Sequence, residues 1–248
     1  MGVVAAYNLA HAETAGYVYI AQILAGAAVG VSTIVTGVLL PYLSSSGEPD
    51  AAAVKAYRLA LAVSAPLAAA LVTGGVHFLS ILGRQYIGAA DALAVFTVAN
   101  LLGLAAGSLG NLMYAKGLYM PFLAVGVAAN ATRIVLYALL GSSDVGVAVS
   151  FLVGSLVAVM LYAVFQRPAA WEMAAATPRS LLASLPALVL APFGVLPAAA
   201  GAVAGYALVV RLRLITRGEL ADLARQILPS NLYVLVAPVA SRVLDVLD

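Results

Sequence analysis

Five stretches of this chain, near residues 14–42, 58–82, 91–115, 119–141 and 145–165, each run for about twenty residues or more with almost no charge. Apolar runs of that length constrain the fold more than anything else in the sequence. Each is long enough to cross ~30 Å of hydrocarbon, and in hydrocarbon a backbone must satisfy its own polar groups, which a helix does internally. Composition agrees: 64% of residues are hydrophobic, 9% are charged and the mean hydropathy is +1.07, too little polar surface to cover a soluble globule. The expectation is an all-α integral membrane protein.

A further stretch, 181–210, contains Pro186, Pro192 and Pro197 and reads as one kinked helix or two short ones. Charge separates these alternatives, because cytoplasmic loops accumulate Lys and Arg. With two helices, near 179–194 and 196–214, one side receives Lys55, Arg58, Lys116, Arg167, Arg179, Arg211, Arg213, Arg217, Arg225 and Arg242, and the other only Arg84. A single helix would scatter that bias. The sequence therefore predicts a bundle of about seven transmembrane helices over 14–215, amino terminus outside and carboxy terminus cytoplasmic. A tail over 216–248 follows, in which Leu220, Leu223 and Ile227 share one face of an interfacial amphipathic helix. Residues 1–13, with the short apolar run Val3 to Ala10, read as the outer-side remnant of a preceding helix, and no secretory signal peptide is evident.

Gly26-Ala-Ala-Val-Gly30, Gly103-Leu-Ala-Ala-Gly107 and Gly201-Ala-Val-Ala-Gly205 are three small-xxx-small patterns in three helices. Such patterns let helix backbones approach closely, within a bundle or across a dimer interface. Arg133 is the one strongly charged residue well inside a predicted span, where it costs at least ~2.5 kcal/mol unless water, an anion or a polar partner receives it. Either a wet cavity or anion site, or a structural partner such as Asn100, would account for it. Asn130 lies one turn away on nearly the same face, and Gln22, Asn100 and Asn111 are further membrane-embedded amides. Arg133, Asn130, Asn100 and Gln22 are the cavity candidates. His77, near the outer end of its helix, reads as structural rather than as a proton relay.

Absences narrow the chemistry. There is no Cys, no phosphate-binding Gly-x-x-x-x-Gly-Lys-Ser/Thr loop, no His-Glu-x-x-His and no Gly-x-Ser-x-Gly. Every Asp and Glu falls in a predicted loop, tail or helix end, which leaves no buried carboxylate for a cation site. A net charge of +2 does not suggest nucleic acid. No catalytic residue, metal site or cofactor is expected, and the chain reads as a transporter component rather than an enzyme.

Several short motifs occur in a recognisable order: Ala15-Gly-Tyr-Val-Tyr-Ile-Ala21, Pro41-Tyr-Leu-Ser44, Leu82-Gly-Arg-Gln-Tyr-Ile-Gly-Ala-Ala90 with Leu93, Lys116-Gly117, Asn130, Gly141-Ser-Ser-Asp-Val-Gly-Val-Ala148 and Thr216-Arg-Gly-Glu219. Together they resemble the carboxy-terminal half of a polysaccharide flippase of the MOP exporter superfamily, with a MATE-like fold. The resemblance implies one lobe of a two-lobed transporter of lipid-linked oligosaccharide for polysaccharide biosynthesis in the cytoplasmic membrane. It further implies membrane lipid as the surrounding solvent, and an amino-terminal lobe or a second copy of the chain as partner. The substrate's diphosphate is an anion that Arg133 would meet. Alternatives are a non-transporting scaffold or degenerate fragment of a split transporter, and half of a MATE-type small-molecule antiporter.

Overall fold

The computed structural model describes residues 2–45, 47–212 and 214, apart from the side chains of 5, 31, 33–42, 44 and 45. Among the described residues the chain is all helix and connection: α1 (Gly2–Leu9), α2 (Ala12–Ser45), α3 (Pro49–Leu82), α4 (Ala90–Ala115), α5 (Tyr119–Leu140), α6 (Asp144–Phe165), α7 (Arg167–Ala183), α8 (Leu185–Leu190) and α9 (Val195–Arg211). Short 3₁₀ turns at Arg84–Ala89 and Ala191–Phe193 join α3 to α4 and α8 to α9. The expected interfacial helices in 216–248 lie outside the described residues.

The corners are built from local chemistry. Gly83, Gly117 and Gly194 sit at φ 138°, 73° and 130°, where a Cβ would be strained. At Gly117 the Leu118 N–H reaches back to the Met113 carbonyl at 3.0 Å, the wrapped helix end that a left-handed glycine permits. Ser143 starts α6 by accepting the Gly146 N–H on its hydroxyl at 3.0 Å.

Helices α2, α4, α7, α8 and α9 pack around α3, whose alanine-rich faces bury Ala53, Ala60, Ala62, Ala65, Ala68 and Ala70. One core cluster joins Tyr57, Leu61, Leu109, Leu112, Met113, Tyr162 and Met173 from α3, α4, α6 and α7. A second joins Val18, Leu79, Leu93, Phe96, Tyr137 and Val147, with Ala6 of α1. Ser32 of α2 donates to the Ala60 carbonyl at 2.6 Å and is also hydrogen-bonded to Ser64. Such side-chain bonds hold helices together where no hydrophobic force between them operates.

Polar contacts also define the two ends of the bundle. Lys116, which closes α4, donates to Asp50 Oδ1 at 2.8 Å and to Gln166 Oε1 at 2.9 Å. The start of α3 and the α6–α7 corner therefore meet at the end of α4. At the opposite end Tyr17 of α2 lies against Gly88 in the 3₁₀ turn, and Leu9 of α1 against Gly141 after α5.

Among the described residues, four segments are long and apolar enough to cross a membrane: α3, the 3₁₀ turn with α4, α5, and α6. The chain is thus a helical membrane protein. Only 17% of the apolar window of α5 is buried, against 67% for α3, so α3 is the central helix and α5 is left largely uncovered by the other described helices.

The sixth of the expected spans is drawn differently. The sixth predicted span, 179–194, is not one helix: α7 starts twelve residues earlier, at Arg167, and the α7–α8 run is bent by 46°. Counting that bent run as one crossing gives five among the described residues, and α9, at 17 residues, is shorter than the other candidates. The reason is local. Arg167 to Arg179 is too polar to read as a span, but it is alanine-rich and opens with Pro168 near its amino terminus, both favourable to helix. It packs on α3, where Tyr57 Oη and Thr177 Oγ1 lie 2.9 Å apart. The charges of α3 (Asp50, Lys55, Arg58) and of α7 (Arg167, Glu172, Arg179) all fall in these paired opening stretches. With 34 residues, α3 is about 51 Å long and exceeds the ~30 Å core, so it has length to spare beyond the bilayer.

Candidate functional site

Arg133 lies on α5, seven residues before its end, so about 10 Å from that end of the bundle. Its side chain turns inward across α6. Nη2 donates to Ser155 Oγ at 3.0 Å, and the Ser155 hydroxyl donates its own proton to the Phe151 carbonyl at 2.9 Å, leaving a lone pair for the guanidinium. The guanidinium carbon stands 4.5 Å from the centre of the Phe151 ring, a cation–π contact. Nη1 makes a long contact of 3.4 Å to Asn130 Oδ1, and the Asn130 amide nitrogen is spent on the Gly126 carbonyl at 2.9 Å. The buried Nε has no hydrogen-bond partner among the described residues.

Every one of these partners is neutral. Ser155, Asn130 and Phe151 soften the loss of hydration without cancelling the charge, which leaves the guanidinium able to take an anion.

Two cavities meet at this residue. The larger, about 310 Å³, lies between α4, α5 and α6, with Gly107, Gly126, Phe122 and Tyr162 in its walls and Asn111, Asn130 and Arg133 as its polar side chains. The smaller, about 170 Å³, is lined by Gly2, Gln22, Asn130, Arg133, Ile134, Tyr137 and Phe151. Three of the four sequence-predicted cavity residues, Gln22, Asn130 and Arg133, therefore share one cavity. Asn100 lines neither of the two. It lies on α4 one turn from Gly103 and two from Gly107, so the three residues look out on one helix face.

The six singled-out glycines divide. A Cβ on Gly201 would stand 2.7 Å from the Pro186 carbonyl oxygen and 2.8 Å from Ala187 Cα; on Gly205 it would stand 3.0 Å from Pro66 Cβ. Those two let α9 lie directly on α8 and α3. Around Gly26, Gly103 and Gly107, by contrast, no atom of the described residues lies within 4 Å of an added Cβ. Gly107 lines the larger cavity. His77 Nε2 lies 2.8 Å from the Pro192 carbonyl oxygen, tying α3 to the turn before α9.

Reasoning from sequence missed Gly154. A Cβ there would overlap the Arg133 stem, falling 2.6 Å from Nε and 2.9 Å from Cδ. The glycine stands next to a serine in an apolar helix, a signal too common to single out. Among the described residues no three His, Asp or Glu side chains gather as a metal site would require.

No family model matches the chain, and no curated protein or solved structure does either.

Proposed function

We propose that the chain is one lobe of a membrane transporter that carries an anionic, lipid-linked oligosaccharide across the cytoplasmic membrane. The observation that carries this reading is Arg133: a cation inside an apolar bundle, held only by neutral partners, at the meeting point of two cavities. A diphosphate supplies the charge that the protein does not, and the guanidinium fork meets paired oxygens better than an ammonium would. The amide of Gln22, at the smaller cavity, is suited to a hydroxyl-rich ligand. The ordered motifs that resemble the carboxy-terminal half of a polysaccharide flippase support the same reading. On it the protein binds and moves its ligand and breaks no bond.

A lobe of this kind works against a second wall. Gly103 and Gly107 of α4 leave backbone accessible where another helix would approach, supplied by a partner lobe or a second copy of this chain. With no native Cys, a single Cys at Gly103 is a clean probe. In native membranes it should crosslink to a partner, and vesicles holding that complex should transfer a fluorescent lipid-diphosphate oligosaccharide between leaflets. A crosslinked complex that moves no lipid-linked sugar, or a chain that stays monomeric, would remove this reading.

The orientation is tested the same way. The bias of basic residues puts the amino terminus outside, so Cys at Ser143, an exposed position between α5 and α6, should react with an impermeant reagent added to intact cells. Cys at the exposed Ala175 of α7 should react only after permeabilisation. The opposite pattern inverts the topology.

A further inference from the structure

We propose that Gly154 of α6 is the positioning residue of Arg133, the gap that decides whether its charge enters the cavities or turns toward lipid. This rests on the reading of Arg133 as an anion site and adds what fixes its geometry. Phe151, Gly154 and Ser155 are spaced i, i+3 and i+4, so they form one patch on a single α6 face. The patch is a seat with three parts. Phe151 offers its ring to the guanidinium, Ser155 holds Nη2, and Gly154, having no side chain, leaves the space through which the Arg133 stem passes.

The clash that any larger residue would cause falls on Cγ and Cδ as well as Nε. These atoms are tethered close to the α5 backbone and have little freedom to move aside. The stem would have to swing outward, to the side where Ile134 and Val135 are 55% and 57% exposed. There the guanidinium would leave both Ser155 and the cavities, and the charge would meet hydrocarbon.

The test uses the full chain in lipid nanodiscs, with inorganic diphosphate as the probe, and reads binding by calorimetry and stability by thermal unfolding. Gly154→Ala should weaken diphosphate binding at least tenfold and lower Tm by about 5 °C. Gly154→Ala/Arg133→Ala should recover the Tm of Arg133→Ala alone, because the added methyl then occupies vacated space. If Gly154→Ala does not fold, recovery in the double variant still supports the seat and a lack of recovery overturns it. An unchanged diphosphate affinity in Gly154→Ala makes the glycine a packing residue only and overturns the positioning role. Equal destabilisation by Gly154→Ala with and without Arg133 overturns it as well. A wild-type chain that takes no diphosphate defeats the anion reading of Arg133, and the stability coupling then decides the seat by itself.

Discussion

Arg133→Ala should insert and fold like the wild type and yet lose function in a cell-surface polysaccharide assay, while Arg133→Lys keeps part of it. Stability is expected to change little because two effects oppose. The variant gives up a hydrogen bond to Ser155 and a ring contact to Phe151, the latter about 0.5–2 kcal/mol. It also removes an embedded charge whose insertion costs at least ~2.5 kcal/mol. Binding has no such compensation: each hydrogen bond from a charged donor contributes about 1.5–3 kcal/mol, so losing a two-pronged grip weakens an anion complex by roughly a hundredfold or more. Lysine restores the charge but not the fork. Loss of stability with no specific loss of transport would make the charge structural.

The largest effect on folding is expected at Gly201. An added Cβ there meets main-chain atoms, the Pro186 carbonyl oxygen and the Ala187 Cα, and these cannot rotate away. Gly201→Leu should therefore push α9 off α8 and cost about 3 kcal/mol or more, at the upper end of overpacking effects. Gly103→Leu is the matched control. Within the chain its Cβ meets no described atom and it replaces a poor helix former, so it should be neutral or mildly stabilising for the isolated chain. Unfolding of both variants in the same lipid and detergent mixture measures the contrast. Equal losses would show that the α9 contact is not a close one.

These two residues also show what could be read before the fold was known. Hydropathy marks where a helix lies in hydrocarbon, and it located α4, α5 and α6 to within a residue or two at each end. It does not register the turns of a helix that stand in water. For that reason α3 begins nine residues before the expected span and α7 twelve before its own. The three prolines flagged the bend after α7 without fixing how many crossings result.

The glycine patterns were equally visible at Gly103 and Gly201, but a pattern within one helix carries no information about whether a neighbour lies across from it. The depth of Arg133 followed from counting residues along α5. Its direction did not, because that depends on α6, where Ser155 and Phe151 rather than Asn100 receive it. Gly154, whose role consists of a missing side chain, becomes visible only when the two helices are set side by side.

A charge held about 10 Å inside the bundle end also stands in the electric field of an energised membrane. Carrying one elementary charge through the whole field changes its energy by about 2.3 kcal/mol per 100 mV. A motion of α5 that moved Arg133 across a third of that field would therefore be biased by roughly 0.8 kcal/mol per 100 mV. The sign of the bias belongs to the occupant as much as to the protein. On the proposed anion reading, the empty site carries a net positive charge; holding a doubly charged anion it carries a net negative one, and the same voltage pulls it the other way.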